Sequence, residues 1–341
     1  MKLFLKILAG ILILIVVAAA GLRIYFNDER LRETVVPLIN ESVGTQVQVQ
    51  SMSLSLFSTF PYAGVRMQGF VLPDKEGNTV VSLQELVLSI KILPLLSNNI
   101  QMAELILRSP EIQYRVHNDG TTNFDFLMAP EQHETSEEGG GLSLAIPELV
   151  LQNGTVHYTD ESSGMAIDAQ GLSGTLGLQF DELIQTDLKA EVQSLSVKLD
   201  GEDYLSGMKL SLQQKSVLNL DKETLEIKEG SLGIRGLKLQ MDGTIDSWGS
   251  EATNMRLSLV SSSDDFGELL GLVPPEYEEY MQGLETRGSL KLKGSINGAL
   301  TETALPDFNF TIQVTDGYVK NSELPEAIRN IQLSFVADNN R

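Results

Sequence analysis

The chain has no cysteine among its 341 residues, only three histidines and few aromatic side chains. The absence of cysteine excludes disulfides, a thiolate nucleophile, zinc ligation by sulfur and a lipid-modified N-terminal cysteine. His117, His133 and His157 are not spaced as metal ligands. The chain has no phosphate-binding glycine loop, no Gly-x-Ser-x-Gly motif and no His-Glu-x-x-His motif. The sequence therefore predicts that the protein is not an enzyme and needs no metal or cofactor.

Positive charge is also scarce, since 25 basic residues stand against 46 acidic ones, which gives a net charge of −21. Nucleic-acid binding requires clustered lysine and arginine side chains to neutralise phosphates. We therefore expect no nucleic-acid partner. The same excess of carboxylates argues against a protein that lies flat on an anionic membrane surface, and it favours solubility.

One long apolar segment is present, at residues 3–22. Its roughly 20 residues would span ~30 Å as a helix, which is the thickness of a bilayer's hydrocarbon core. Lys2 and Lys6 place the N-terminus in the cytoplasm by the positive-inside rule. We therefore predict that residues 1–26 form a single-pass anchor in the inner (plasma) membrane and that the rest of the chain is exported.

A cleaved signal peptide is the alternative for the same segment. The small residues 18–21 offer an Ala-x-Ala cleavage site. The apolar Leu22, Ile24 and Phe26 that follow favour the uncleaved anchor, because the region before a cleavage site is usually polar. Both alternatives export the rest of the chain.

Residues 27–44 predict an amphipathic helix with one apolar stripe. Asn27 or Asp28 is suited to cap its start, and Gly44 is suited to end it. Pro37 predicts a kink or a division into two short helices. The residues of the stripe are Leu31, Val35, Leu38 and Ile39.

Beyond this helix, apolar and polar residues alternate in short runs, as in half-buried β-strands. Residues 45–128 form a first predicted β unit, in which a change of phase at Gln50–Ser51 indicates a bulge or turn. Residues 129–141 are acidic and rich in glycine and predict a flexible linker. Alternation resumes in a repeating β unit at 142–341, which is interrupted at 264–284 by two predicted short helices that close one rim of the sheet.

A weak internal repeat accompanies the alternation. Residues 148–158 and 309–320 each place an Asn-Gly or Asp-Gly pair between two alternating runs, and residues 105–120 are a looser copy. Such pairs are typical of hairpin turns. The repeat therefore predicts stacked hairpins, with roughly 18 short strands in all.

The predicted fold is mainly β: an anchor and a short helix are followed by an elongated, curled, antiparallel-rich sheet with a few short helices. Its apolar face has to be covered, either by a second sheet in an ordinary sandwich or by a ligand in a groove. A groove would suit lipid, because an acyl chain of about 16 carbons costs on the order of 10 kcal/mol to expose to water. The residues predicted to line such a groove are Leu86, Leu88, Ile90, Val192, Val197, Leu210, Leu212, Leu237, Leu239, Leu290, Leu292, Phe310 and Ile312.

The order and spacing of several segments resemble the AsmA family of inner-membrane-anchored periplasmic proteins, which are relatives of the TamB and YhdP type. The resemblance covers nearly the whole chain, although each segment alone is degenerate and mostly apolar. These segments are PLINESVG (37–44), residues 53–72, IKILPLL (90–96), GTTNFDFL (120–127), IPELVLQNGTVHYTD (146–160) and residues 268–300.

The resemblance implies a β-groove fold in the periplasm and a role in outer-membrane biogenesis, with no catalytic residues. It implies either a conduit for phospholipid or another acyl-chain lipid, or a factor that controls the targeting or assembly of outer-membrane proteins. Typical members are longer, so we expect a short member or an N-terminal fragment of a longer one. A surface or adhesive β protein is a third alternative.

Overall fold

The computed structural model describes residues 27–55, 62–91, 101–128, 147–248, 252–263, 265–273, 278–281, 283–301, 304–321 and 325–339. The predicted anchor (1–26) and linker (129–141) lie outside these residues. Of the helices in the described part of the chain, none has the length and apolar character needed to cross a membrane.

Within the described residues, fourteen β-strands follow one another in the order of the sequence, and neighbouring strands are hydrogen-bonded. Strands β1 to β4 pair antiparallel, β4 and β5 pair parallel, and β7 to β14 pair antiparallel. The prediction of a mainly β, antiparallel-rich sheet is thus confirmed. The strands are β1 (Ser51–Ser55), β2 (Tyr62–Pro73), β3 (Thr79–Lys91), β4 (Met102–Val116), β5 (Glu148–Asp160), β6 (Met165–Phe180), β7 (Ile184–Leu199), β8 (Glu202–Asn219), β9 (Thr224–Ile234), β10 (Leu237–Asp246), β11 (Thr253–Ser263), β12 (Leu284–Leu300), β13 (Asp307–Asn321) and β14 (Ile328–Asp338).

The chain divides into two compact units, residues 1–166 and residues 167–341. Unit 1 begins with the helix α1 (Asp28–Val43), as predicted. The side chain of Asn27 accepts a hydrogen bond from the backbone N–H of Arg30 at 3.0 Å, and the left-handed Gly44 (φ 70°) ends the helix. Helix α1 continues through Pro37 as one element, so the alternative of two helices was wrong.

Leu31, Val35 and Ile39 of the apolar stripe of α1 pack against β1, β2 and β3 to form the core of unit 1. Leu31 is buried there, while Val35 and Ile39 are partly buried. A short helix α2 (Asp125–Met128) follows β4, and the adjacent Phe124 packs against the same core. The buried members of this core are Leu31, Val47, Val49, Met52, Met67, Phe70, Leu72, Val80 and Leu83.

A line of left-handed residues crosses the strands of unit 1, and we call it the crease. Gly69 in β2, Ser109 in β4 and Asn153 in β5 have φ values of 60°, 45° and 53°. Their neighbours Gln68, Glu85, Arg108 and Gln152 are paired across the strands, so the three residues are aligned. The register is unshifted on both sides of the crease, so no strand gains a residue there, and the left-handed backbone itself reverses the direction of the side chains that follow.

This reversal explains why the apolar residues that share one core change from odd to even positions along a strand. Met67 and Phe70 lie three positions apart on β2, yet both are buried in the same core. Val49 and Met52 show the same relation across Gln50, a bend just before β1 begins at Ser51, where the sequence indicated a bulge or turn. In β2 the alternation therefore changes phase because the crease turns the strand over, and the strand itself continues.

The pairs Asn153–Gly154 and Asp316–Gly317 were predicted as hairpin turns, and that prediction was wrong, whereas Asp119–Gly120 of the looser copy does lie in a turn after β4. Asn153 lies inside β5 and Asp316 lies inside β13, each as a left-handed residue within a continuous strand. In unit 2, Asp316 lies beside Gly288 of β12 (φ 128°), and Asn330 of β14 (φ 54°) is also left-handed. These strands are consequently longer than the sequence predicted.

Unit 2 has its own core on one face of β10 to β13, covered by a 3-10 helix (Phe266–Leu272). The side chain of Asp265 accepts from the N–H of Gly267 at 2.8 Å and thereby caps this helix. The helix α3 (Glu278–Met281) follows it. The two short helices predicted within 264–284 are therefore present. The buried core residues are Leu237, Leu239, Leu259, Phe266, Leu290, Leu292 and Val314.

The turn after β5 contains a carboxyl group with a low pKa. The hydroxyls of Ser162 and Ser163 donate to Asp160 at 2.7 Å each, and the backbone N–H of Ser162 donates at 2.8 Å. These hydrogen bonds, from Ser162 first, lower the pKa of Asp160 from 3.8 to about 2. Because the folded pKa is depressed, Asp160 contributes stability above pH 3.8, and that contribution is lost as the pH falls towards 2.

We expect the double substitution Ser162→Ala and Ser163→Ala to raise the pKa of Asp160 towards 3.8, because the two hydroxyl donors are removed. The backbone N–H donors remain and continue to lower the pKa. Titration of the Asp160 carboxyl carbon by NMR measures this change. If the carboxyl of Asp160 titrated at 3.8 or above in the unsubstituted protein, the lowered pKa and its cause would be contradicted.

Candidate functional site

One face of unit 2 is apolar across neighbouring strands. Residues directly opposite one another in an antiparallel sheet share a face, so the register identifies the rows of side chains. Val192 of β7 lies opposite Leu210 of β8, which lies opposite Ile234 of β9 and then Leu237 of β10. The next row is Ala190, Leu212, Leu232 and Leu239.

The same face continues onto the later strands. Met241 of β10 lies opposite Leu259 of β11, which lies opposite Gly294 of β12 and then Phe310 of β13. Leu292 lies opposite Ile312. We call this surface the apolar face, formed by Val192, Leu210, Leu212, Leu232, Ile234, Leu237, Leu239, Met241, Leu259, Leu290, Leu292, Phe310, Ile312 and Val314.

The apolar face divides into a covered and an open part. Leu237, Leu239, Leu290 and Leu292 belong to the core beneath Phe266 and are at most 6% exposed. Val192, Leu210 and Leu212 are only half-buried and lie outside that core. The open part is therefore the portion of the face that is available to a ligand, and it consists of Val192, Leu210 and Leu212.

The remaining residues of the predicted lining lie elsewhere. Val197 pairs with Leu205 beyond two register shifts in β7, so its face does not follow from the alternation. Leu86, Leu88 and Ile90 belong to unit 1 and share one face of β3, and Leu86 packs against the core under α1. A role in lipid binding stays a prediction for all thirteen residues.

The opposite face of unit 2 is polar. Lys189 of β7 lies opposite Gln213 of β8, and both are exposed. On β12, Lys291 and Lys293 alternate with Leu290 and Leu292 and are exposed as well. Unit 2 therefore has a sheet with one polar, solvent-exposed face and one apolar face. Residues adjacent in sequence, such as Leu212 and Gln213, point to opposite faces.

A cavity of about 760 Å³ lies in unit 2 at the turn between β9 and β10. We call it the turn cavity. The turn itself, Arg235–Gly236, lines it together with consecutive residues of β7 (191–193) and β8 (209–211), so residues of both strand faces border it. Its apolar lining is Val192, Leu210, Leu270, Val273, Met281 and Leu284, and its charged lining is Glu191, Lys209, Arg235 and Lys238.

Arg235 ties the turn cavity to the segment that follows the 3-10 helix. Its guanidinium donates to the carbonyl of Val273 at 3.1 Å and to the carbonyl of Gly207 at 3.3 Å. Arg235 itself is left-handed (φ 46°), as the first residue of a two-residue hairpin turn often is. The guanidinium thus connects the turn, β8 and the short helices at this end of unit 2.

Sequence reasoning missed several residues of the face and the cavity. Leu232 and Ile234 alternate in β9 and complete the two rows, and their spacing would have identified them. Lys209 and Lys238 carried no such signal, because an isolated lysine between apolar residues is the normal outer position of an amphipathic strand. Only the tertiary structure shows that both line one cavity.

These features define an open β-sheet protein with one apolar face that a second sheet does not cover within the described residues. The AsmA family model matches residues 1–247, which is more than half of the chain. The chain belongs to the AsmA family. Members are generally membrane-associated, and membership suggests a general role in periplasmic lipid transport or outer-membrane biogenesis. Comparisons with curated proteins and with solved structures gave no match.

Proposed function

We propose that this protein is a non-enzymatic, membrane-anchored periplasmic protein that shields lipid acyl chains during transport between the inner and outer membranes. The open part of the apolar face carries the proposal. Val192, Leu210 and Leu212 lie there on one face of β7 and β8 and are only half-buried. Contact between such a surface and an acyl chain lowers the free energy, because apolar area is removed from water. The contact requires no hydrogen bonds from the lipid.

The proposal extends to the shape and position of the protein. We propose that the sheet of unit 2 curls so that the apolar face lines a groove, with residues 3–22 anchoring the chain as a single helix in the inner membrane. The acyl chain would lie against the groove while the polar face remains in water. Burial of about 16 carbons would recover on the order of 10 kcal/mol that exposure to water costs.

Site-specific photo-crosslinking in cells tests the proposal. A diazirine amino acid at Leu212 lies on the apolar face, and the same probe at Gln213 lies on the polar face of the same strand. We expect mass spectrometry to find lipid adducts at position 212 several-fold above those at position 213. Equal yields at the two positions, or no lipid at either, would contradict the proposal.

A second candidate function is supported by the exposed apolar side chains of β14. Its Leu333 and Phe335 are 49% and 53% exposed. Exposed apolar side chains along a strand can pack against a strand of another protein. We propose an outer-membrane β-barrel protein in assembly as the alternative partner. Crosslinks from Val336 to such proteins, with no lipid adduct at Leu212, would favour this function.

A further inference from the structure

The turn cavity differs in charge from the rest of the protein. The whole chain has almost twice as many acidic as basic residues, 46 against 25. Among the described residues that line the turn cavity the balance is reversed, because Lys209, Arg235 and Lys238 accompany one carboxylate, that of Glu191. Three cations around one cavity in an acidic protein create a local positive potential that attracts anions.

The strand register places the two lysines at the same end of β9. Leu210 lies opposite Ile234, and the N–H of Arg235 donates to the carbonyl of Lys209. Lys238 lies opposite Gly233 on the other side of β9. Lys209 and Lys238 therefore flank the end of β9 from its two neighbouring strands, β8 and β10. Within the described residues, neither lysine forms an ion pair with a carboxylate.

The same cavity continues into hydrocarbon-like surface. Val192 and Leu210 line it and also belong to the open part of the apolar face. Leu270, Val273 and Met281 add apolar surface from the short helices. A ligand that fills this space would need an anionic group next to an apolar body, which is the chemistry of a charged amphiphile.

Building on the proposed function, we propose that the turn cavity binds the phosphodiester headgroup of an anionic glycerophospholipid, with its acyl chains along the apolar face. Lys209 and Lys238 contact the headgroup and select for net negative charge. Arg235 holds the turn and the short helices in place through its bonds to the carbonyls of Val273 and Gly207. The protein would therefore discriminate among lipids by charge at this one position, whereas the rest of the face accepts any acyl chain.

Competition between two lipids with identical chains tests the proposal. The full-length protein in detergent is incubated with equimolar dioleoylphosphatidylglycerol, which is anionic, and dioleoylphosphatidylethanolamine, which is zwitterionic, and mass spectrometry measures the bound ratio. We expect enrichment of phosphatidylglycerol. The double variant Lys209→Gln and Lys238→Gln should lower the ratio of phosphatidylglycerol to phosphatidylethanolamine about tenfold, because the shared phosphodiester and chains are unaffected.

The matched control is Lys291→Gln and Lys293→Gln, which removes the same charge from exposed positions on the polar face. This control should keep the ratio of the unsubstituted protein. A bound ratio near one in the unsubstituted protein, or an equal drop in both double variants, would overturn the headgroup site while leaving lipid binding intact. Absence of both lipids from the unsubstituted protein would instead refute the proposed function on which the site rests.

Discussion

Replacing Leu290 by alanine is expected to lower the free energy of unfolding of unit 2 by about 3–5 kcal/mol. Leu290 is fully buried, at 0% exposure, beneath the 3-10 helix, and it lies opposite Val314 and Ser263 on the two neighbouring strands. The substitution removes a large apolar side chain from a site that Phe266 closes from above, so a cavity would remain. Urea unfolding followed by the fluorescence of Trp248, the one tryptophan of the chain, measures the change.

Leu333→Ala is the matched control for Leu290→Ala. Leu333 lies opposite Val314 on its other side, in β14, but it is 49% exposed. Its truncation should cost less than about 1 kcal/mol, because little apolar area is lost from the interior. A similar loss for the two variants would show that the cover over Leu290 contributes nothing to the stability of unit 2.

Replacing Gly288 by alanine is expected to cost on the order of 3 kcal/mol or more, because backbone strain and a steric clash coincide there. Gly288 has a φ of 128°, which an L-residue rarely adopts. An added Cβ would lie 2.7 Å from Gly317 Cα and 2.9 Å from Asp316 O. Both contacts are to backbone, so β12 and β13 would have to separate. The same urea unfolding assay measures the loss.

Gly201→Ala separates the two causes. Gly201, in the turn between β7 and β8, also has a positive φ, 84°, but nothing lies within 4 Å of the position that an added Cβ would occupy. Its substitution should therefore cost only the free energy of holding alanine in left-handed backbone, about 1–2 kcal/mol. If Gly288→Ala cost no more than Gly201→Ala, the close approach of the two strands at Gly288 would not be a constraint.

Much of this fold could be predicted from alternation, and the errors have identifiable causes. Asn27 and Gly44 correctly bounded α1, because capping depends on residues within one turn of the helix. Asn153–Gly154 and Asp316–Gly317 are predicted as turns because the same residues favour left-handed backbone both in turns and inside strands. Only strand pairing on both sides of each pair distinguishes a left-handed residue within a strand from a turn that ends it.

The candidate site was predictable in part for a similar reason. Nine of the predicted residues in unit 2 share one face, because register preserves the alternation across paired strands. The sequence did not distinguish Leu290, which a helix covers, from Leu212, which stays half-buried. Both have the same local pattern, and the difference depends on where the 3-10 helix Phe266–Leu272 packs.

The sequence by itself determined an acidic, thiol-free, mainly β protein with one apolar strand face and an amphipathic helix at Asp28–Val43, since these depend on composition and on patterns within a few residues. Tertiary structure alone decided which part of that face is covered and which is open. It also decided that Lys209 and Lys238, 29 positions apart along the chain, line one cavity. Distant residues become neighbours only through strand pairing, which local chemistry does not specify.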